Sequence, residues 1–153
     1  KHICEDDMIR IAICDDSIND ANSLRLCCQS CDLSDTAEIS VFYSGIELIN
    51  SHQNKKFDII LLDVDMPVID GINTGLKIRS YDKQSIIIFT TSYPQYAIDA
   101  YDCEAFHYIL KPYSQEKISI VLKKAIEKLG YINIIKSKYK TKRNTFLFLI
   151  FFT

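Results

Sequence analysis

Three carboxylates follow two apolar segments that are typical of strands in one sheet. Asp63 comes directly after the apolar run 57–62, and Asp15 and Asp16 come directly after the short run 9–14. The carboxyl ends of parallel strands meet at one sheet edge, where α/β proteins hold ligands, so we expect the three side chains to lie close together. Such carboxylates repel unless a hard cation lies among them, and an all-oxygen site favours Mg²⁺. A carboxylate beside magnesium suggests phosphoryl chemistry.

Two further apolar segments deliver a hydroxyl and an ammonium group to the same predicted edge. The run 85–89 leads into Thr90, Thr91 and Ser92, and the run 105–110 leads into Lys111. A carboxylate nucleophile, a hydroxyl and a cation form a set that can accept a phosphoryl group and neutralise its charge. The ordered set is more informative than any single member.

Apolar runs of strand length alternate with segments of helical period along most of the chain, which predicts a parallel sheet with crossover helices. Strands are predicted at 9–14, 38–43, 58–62, 85–90 and 105–110, and helices at 17–30, 44–52, 72–81, 95–102 and 114–128. Right-handed crossovers then give an α/β, doubly wound, five-stranded flavodoxin-like sheet of order 2-1-3-4-5. Ser17 and Ser114 are predicted N-caps, Gly71 is expected to permit a turn, and Gly130 is expected to end the last helix.

Four motifs stand in this order along the chain: IAICDD, LLDVDMPVIDG, IIIFTTS and YILKP. In order and spacing they resemble the receiver (phosphoacceptor) domain of two-component response regulators, over about residues 8–129. The run TTSYPQYAIDAYDCEAFHYILKPY is more narrowly similar to receivers of the LytTR-type (LytR/AlgR-like) subfamily, which carry a β-rich DNA-binding domain.

The resemblance implies that Asp63 is the phosphorylated residue and that Mg²⁺ binds beside it. Asp16 is expected to ligate the metal directly, Asp15 mainly through water, and Asp65 through its backbone carbonyl. This sharing leaves coordination positions for phosphate and water. A role for the two adjacent acids as charges that complement a helix N-terminus is the simpler alternative.

The resemblance also implies the residues that respond to phosphate. Thr91 is favoured over Thr90 as the hydroxyl that meets the phosphoryl group, although a one-residue slip would exchange their faces. Lys111 would bind a phosphoryl oxygen, and the peptide bond from Lys111 to Pro112 would be cis. Tyr108 would turn inward when the hydroxyl moves, unless it is an ordinary half-buried strand residue.

The expected function is therefore a phosphorylation-controlled switch and not an enzyme, beyond any catalysis of its own phosphorylation and dephosphorylation. A sensor histidine kinase would donate the phosphoryl group. Phosphorylation would promote homodimerisation through a face carrying Tyr96, Tyr101 and Phe106, and would control transcription. DNA binding would need a LytTR-type domain that is largely absent from this chain.

Two other functions remain open from the sequence. Asp63 and Asp65 form a D-x-D pair that resembles that of haloacid-dehalogenase-like phosphatases. Those enzymes place the pair on the first strand and an acidic pair after the lysine, whereas here the acidic pair comes first. The other alternative is a stand-alone receiver that acts through protein contacts.

Charge divides the chain into unequal parts. Residues 8–128 hold 12 Lys/Arg and 17 Asp/Glu, a net charge of −5, whereas residues 129–153 hold 5 Lys/Arg and no acid. We expect residues 1–7 to be a leader or added sequence, residues 8–129 to form the receiver, and residues 130–153 to be a basic, then apolar tail. This tail is either the start of a truncated LytTR-type domain or a segment with a different use. Sequence-specific DNA recognition by this tail alone is not expected.

No apolar run approaches the roughly 20 residues that cross a bilayer, so no membrane partner is expected. The chain has six cysteines, and Cys27, Cys28 and Cys31 include a C-x-x-C spacing. A disulfide or zinc site there is the less favoured alternative, because the three histidines do not have ligand spacing. Reduced thiols and a cytoplasmic location are the expectation.

Overall fold

The computed structural model describes residues 8–31, 36–130 and 133. Its centre is a five-stranded sheet of order β2-β1-β3-β4-β5 in which every neighbouring pair is parallel. The strands are β1 (Ile9–Cys14), β2 (Ala37–Phe42), β3 (Ile59–Asp63), β4 (Ile86–Thr91) and β5 (His107–Leu110). The predicted fold class and strand order are confirmed.

Within the described residues, five α-helices connect or flank these strands. They are α1 (Ile18–Gln29), α2 (Gly45–Asn54), α3 (Gly71–Arg79), α4 (Ala97–Asp102) and α5, which begins at residue 115 and is described to residue 130. A 3-10 turn at Pro94–Tyr96 precedes α4, so the predicted helix 95–102 is divided between two conformations. None of the described helices is long and apolar enough to span a bilayer.

Side-chain caps fix the start of several helices. Ser17 Oγ accepts a hydrogen bond from the backbone N–H of Asp20 at 3.3 Å, and Ser114 Oγ accepts one from Lys117 at 3.1 Å. Both predicted N-caps are therefore present. The predicted stop at Gly130 is wrong, because residue 130 is still helical and residue 133 is helical as well.

Two apolar layers cover the sheet. One layer joins β-strand side chains such as Ile11 and Leu61 to α1 and α5, and the other joins Ile60 and Phe89 to α2, α3 and α4. All five residues of β3 are buried, as expected of the central strand of a parallel sheet. The alternation of strand residues thus decides which helices each side chain meets.

Arg79, at the end of α3, anchors the turn between α4 and β5. Its Nε donates a 2.8 Å hydrogen bond to the carbonyl of Cys103, and Nη2 donates one to the carbonyl of Glu104 at 3.2 Å. Glu104 has a positive φ of 51°, and the N–H of Ala105 bonds back to Ala100 at 3.3 Å. This turn explains why β5 begins at residue 107 and not at the predicted residue 105.

Candidate functional site

The three predicted carboxylates meet at the carboxyl edge of the sheet. Oxygen atoms of Asp15, Asp16 and Asp63 all lie within 4.8 Å of one another. Asp15 and Asp63 are buried, whereas Asp16 is exposed. Asp15 Oδ1 is oriented by the backbone N–H of Ser17, which donates to it at 2.9 Å. We call these three side chains the acidic trio, and it is the group that could hold a metal ion.

The electrostatics of Asp63 show that a cation suits this position. Burial is the main cause that raises the pKa of Asp63 to about 7, and the nearby charge of Asp15 raises it further. The ammonium of Lys111 opposes both effects without cancelling them. A divalent cation would offset both the burial cost of the charged Asp63 and its repulsion by the other two carboxylates. Such a cation prefers oxygen ligands, so it fits the acidic trio.

Lys111 lies between the trio and helix α1. Its Nζ atom is 2.8 Å from Asp15 Oδ2, 3.0 Å from Asp20 Oδ2 and 3.3 Å from Asp63 Oδ1. Burial is the largest single influence and lowers the pKa of Lys111, but the bonds to Asp15 and Asp20 and the charge of Asp63 together raise it. The ammonium is therefore charged and can neutralise an anion bound at Asp63.

The peptide bond between Lys111 and Pro112 is cis, as the resemblance implied. The N–H of Lys111 donates to the carbonyl of Thr91 at 2.7 Å, which ties the end of β5 to the end of β4. Both strands thus deliver their terminal residues to the same edge.

The two threonines at the end of β4 have different surroundings. Thr90 is in register with Asp63, and its buried hydroxyl has no hydrogen-bond partner among the described residues. Thr91 Oγ1 accepts a hydrogen bond from the N–H of Tyr93 at 3.1 Å, and the Thr91 side chain also lies near the Tyr108 hydroxyl. The choice of Thr91 over Thr90 as the phosphate-facing hydroxyl stays a prediction.

Tyr108 links β5 to the segment after β4. Its hydroxyl donates to the backbone carbonyl of Tyr93, so Thr91, Tyr93 and Tyr108 form one connected group. Tyr108 packs on the layer that contains α2, α3 and α4. A change in the position of Thr91 would therefore reach the residues that lead into α4.

The loop after β3 brings Gly71 against the backbone of Asp63. A Cβ atom at Gly71 would lie 2.0 Å from the carbonyl oxygen of Asp63 and 2.8 Å from the Cα of Val64. Gly71 does not have a positive φ, so it permits the turn before α3 by allowing close approach and not by a left-handed conformation. Val68 in the same loop has a φ of 68°. Asp65 is exposed, and the metal-binding role of its carbonyl stays a prediction.

The aromatic residues predicted to form one face are divided between the two layers. Tyr96 packs with the α2, α3 and α4 layer, whereas Phe106 packs with the α1 and α5 layer beneath Lys128 Nζ, 5.0 Å from its ring centroid. Tyr101 and Ile98 on α4 are the strongly exposed members, at 82% and 79%. Phe106 is therefore not part of the exposed α4 surface.

The three cysteines in and just after α1 do not form a disulfide. Cys27, Cys28 and Cys31 are free thiols, and the thiol of Cys31 donates to the carbonyl of Cys27 at 3.0 Å. Burial raises the pKa of Cys28 to about 12, so this thiol is inert at neutral pH. Among residues 8–31, 36–130 and 133, the acidic trio is the group with metal-ligand geometry.

Asp20 is a site residue that the sequence did not predict. It stands in the first turn of α1, where an acid is common because it complements the helix dipole. Its contact with Lys111 joins residues 91 positions apart. The available signal was weak: Asp20 follows the predicted N-cap Ser17 by three residues, so it lies at the same end of α1 as Asp15 and Asp16.

Comparisons with known proteins agree with this geometry. The family model described as "Response regulator receiver domain" matches residues 11–123. Sensory transduction protein LytT of Oceanobacillus iheyensis is 38% identical over 97 residues, which are 62% of this chain and 39% of that protein. The chain thus spans well under half the length of this curated relative. Relatives of this kind are LytTR-type response regulators, the subfamily that the sequence predicted.

Two solved structures extend the comparison. The response regulatory domain of protein MrkE from Klebsiella pneumoniae has a TM-score of 0.71 and 28% identity, covering 78% of this chain and 96% of that chain. Response regulator protein TrrA from Thermotoga maritima, in complex with Mg(2+)-BeF, has a TM-score of 0.69 and 28% identity, covering 77% of this chain and 99% of that chain.

Proposed function

Because the chain belongs to the response regulator receiver family, we propose that it is a phosphorylation switch in which Asp63 accepts a phosphoryl group. The observation that carries this proposal is the position of Asp63. It lies in the acidic trio, with Oδ1 3.3 Å from Lys111 Nζ. This arrangement offers a carboxylate nucleophile and a fixed positive charge at one point.

The metal that best suits this site is Mg²⁺, held by the carboxylates of Asp15, Asp16 and Asp63 and by the carbonyl of Asp65. All four ligands are oxygen atoms, which magnesium prefers. The magnesium-bound structure of TrrA supports the same choice. Bound magnesium would supply charge neutralisation for the incoming phosphoryl group.

Each side chain of the site has a separate role in the proposed phosphoryl transfer. Asp63 attacks phosphorus with one carboxylate oxygen, and the donor's leaving group departs with the electron pair of the broken bond. Lys111 binds a phosphoryl oxygen as a point charge, and a β4 hydroxyl donates a hydrogen bond to another. Thr91 is the proposed hydroxyl, and Thr90 is the alternative because its buried oxygen has no hydrogen-bond partner in the part of the chain that the structure describes.

We propose that the switch runs from Thr91 to α4. Movement of Thr91 toward phosphate would break or re-form its hydrogen bond with the N–H of Tyr93, which precedes α4. The Tyr93 carbonyl in turn accepts from the hydroxyl of Tyr108, which packs on the layer that contains α4. The exposed side chains of Ile98 and Tyr101 would then self-associate in the phosphorylated form, since paired apolar side chains leave water. Phosphate thus biases a pre-existing arrangement of this surface.

The proposed donor is a sensor histidine kinase, and the proposed output is transcriptional control. The relatives LytT and LytR support both, as proteins named for sensory transduction and transcriptional regulation. In this proposal residues 8–129 form the receiver, and a LytTR-type domain that follows it binds DNA in the cytoplasm.

Intact-mass measurement after incubation with acetyl phosphate and magnesium tests the proposal. We expect one added phosphoryl group on the parent protein, none on Asp63→Asn, and none after chelation of the metal. The variants Thr90→Ala and Thr91→Ala show which hydroxyl the reaction needs, because the phosphorylated protein should accumulate more slowly in one of them.

Sedimentation with and without beryllofluoride, in the parent protein and in Tyr101→Ala, tests self-association. An unchanged mass of the parent protein, or sustained hydrolysis of phosphate esters as in a phosphatase, would contradict the assignment.

A further inference from the structure

A pocket of about 340 Å³ opens beside Lys111. Its walls are formed by Asp20, Ser23, Ser92, Lys111, Pro112 and Tyr113. Lys111 connects this pocket to the phosphoacceptor, because its Nζ atom is 3.0 Å from Asp20 and 3.3 Å from Asp63. A group bound to Asp63 and Lys111 would therefore adjoin the pocket.

Asp20 is the acid among the residues that form this wall. Its side chain is 50% exposed, so its carboxylate faces the open pocket as well as Lys111. A divalent cation and Lys111 together carry three positive charges, which balance the three carboxylates of the acidic trio. Asp20 adds a fourth negative charge, and its carboxylate contacts Lys111 at 3.0 Å while remaining half exposed, so it gives the pocket a negative side.

In the proposed reaction the leaving group departs toward the open side of the site, which this pocket adjoins through Lys111. The attacking and leaving atoms lie on opposite sides of phosphorus, roughly in line. Asp63 attacks from the buried end of β3, so the leaving group departs toward solvent. Lys111, which binds the phosphoryl oxygens in the proposed function, is also part of the pocket wall.

We propose that Asp20 is a specificity-determining residue, which favours phosphodonors that release a neutral or cationic nitrogen group over donors that release a carboxylate. This inference rests on the proposed function and adds a preference for one donor class. The negative charge of Asp20 attracts a protonated nitrogen and repels a departing anion.

Two small donors represent the two classes. In phosphoramidate the nitrogen is already protonated, the bond from phosphorus to nitrogen breaks as the bond to Asp63 forms, and neutral ammonia leaves with the electron pair. In acetyl phosphate the bond from phosphorus to oxygen breaks, and acetate leaves with the electron pair and a negative charge. Both reactions give the same phosphorylated Asp63, so the product does not differ.

The experiment compares the initial rates of phosphorylation of Asp63 by phosphoramidate and by acetyl phosphate, with magnesium, using intact mass. The variants are Asp20→Asn, Asp20→Glu and the control Glu127→Gln, which removes an exposed acid of α5. In Asp20→Asn we expect the rate ratio of phosphoramidate to acetyl phosphate to fall by about fivefold, the effect of one charge a few ångström away in water. Asp20→Glu and Glu127→Gln should keep the ratio of the parent protein.

Salt gives a second readout. High ionic strength should lower the ratio in the parent protein toward that of Asp20→Asn, because an exposed charge is screened. A rate change in Asp20→Asn that is equal for both donors would overturn the inference, since it would show that Asp20 acts by positioning Lys111. An unchanged ratio would also overturn it while leaving the proposed function intact. If neither donor labels the parent protein, both the proposed function and this inference fail.

Discussion

His52 Nε2 lies 2.8 Å from Asp82 Oδ2, at the sheet edge opposite the acidic trio. The other ring nitrogen, Nδ1, accepts a hydrogen bond from the N–H of Phe57 at 3.0 Å, so the neutral ring carries its proton on Nε2. Both side chains are buried. Burial lowers the pKa of His52, and its hydrogen bond to Asp82 only partly opposes this effect.

Replacing His52 by alanine should destabilise the protein, because the Phe57 N–H and the buried Asp82 carboxylate would each lose a partner. We expect the free energy of unfolding at neutral pH to fall by about 3 kcal/mol. Urea unfolding of the parent protein and His52→Ala measures this difference.

The difference in unfolding free energy between the parent protein and His52→Ala should become smaller as the pH falls. The folded protein binds fewer protons at His52 than the unfolded chain, so its stability is lost as the pH falls from the ordinary histidine pKa of about 6.5 toward the lower folded pKa. His52→Ala lacks this contribution. A difference in unfolding free energy that stays constant between about pH 8 and pH 5 would contradict the neutral, buried state of the ring.

Neutralising Asp63 should stabilise the metal-free protein. The pKa of Asp63 is raised by burial and by Asp15 to about 7 from 3.8, so the folded state binds more protons than the unfolded chain in between. The parent protein therefore loses stability as the pH rises through this range. We expect Asp63→Asn with a chelator to be about 3 kcal/mol more stable near pH 8 and about equal near pH 4.

Added magnesium should raise the melting temperature of the parent protein and raise that of Asp63→Asn much less, because one ligand is lost. Glu127→Gln, which removes an exposed acid far from the trio, should respond to magnesium as the parent does. Equal magnesium responses in parent and Asp63→Asn would remove Asp63 from the metal site.

A methyl group at Gly71 should disturb Asp63 directly. The added Cβ would lie 2.0 Å from the Asp63 carbonyl oxygen, so the backbone at the end of β3 must move. We expect Gly71→Ala to lower the free energy of unfolding by about 3 kcal/mol and to slow phosphorylation. Gly130→Ala is the matched control, since outside its own helix no atom of the described residues lies within 4 Å of its added Cβ. Thermal unfolding and intact mass together would show whether the effect is confined to Gly71.

Val68 is a branched residue in the left-handed region, with a φ of 68° and 94% exposure. Its side chain buries almost nothing, whereas the conformation costs about 1–2 kcal/mol for a residue with a Cβ atom. Glycine also gives the unfolded chain more conformational entropy, which offsets part of this gain. The free energy of unfolding of Val68→Gly should still be about 0.5–1 kcal/mol higher than that of the parent protein. Val68→Ala keeps the Cβ atom, so its free energy of unfolding should rise less. Chemical unfolding of the three proteins therefore distinguishes relief of backbone strain from removal of an exposed apolar side chain.

The strands were predictable where apolar runs end in charged residues. The bounds 9–14 predicted for β1 are those observed, since the run ends at Asp15 and Asp16. The start of β5 was not predictable, because the turn at Glu104 depends on Arg79, a residue 25 positions earlier. A periodic pattern describes local conformation and does not contain such distant bonds.

The candidate site shows the same division. Asp15, Asp16, Asp63 and Lys111 were predictable because each follows a strand, and parallel strands end at one edge. Asp20 was not, since an acid in a first helical turn is common without a binding role. The assignment of Thr90 or Thr91 depends on a single residue of register at a strand end, where alternation alone cannot decide.

Helix α4 has only six residues, and Ala100 is its one buried side chain. Arg79 donates hydrogen bonds to the carbonyls of Cys103 and Glu104, just after the helix. The Tyr108 hydroxyl donates one to the carbonyl of Tyr93, just before it. Because α4 buries only Ala100, its amide protons should exchange with deuterated water long before those of β3, which is buried throughout. In the proposed switch, exchange at this short helix should also change when Asp63 is phosphorylated, while β3 stays protected.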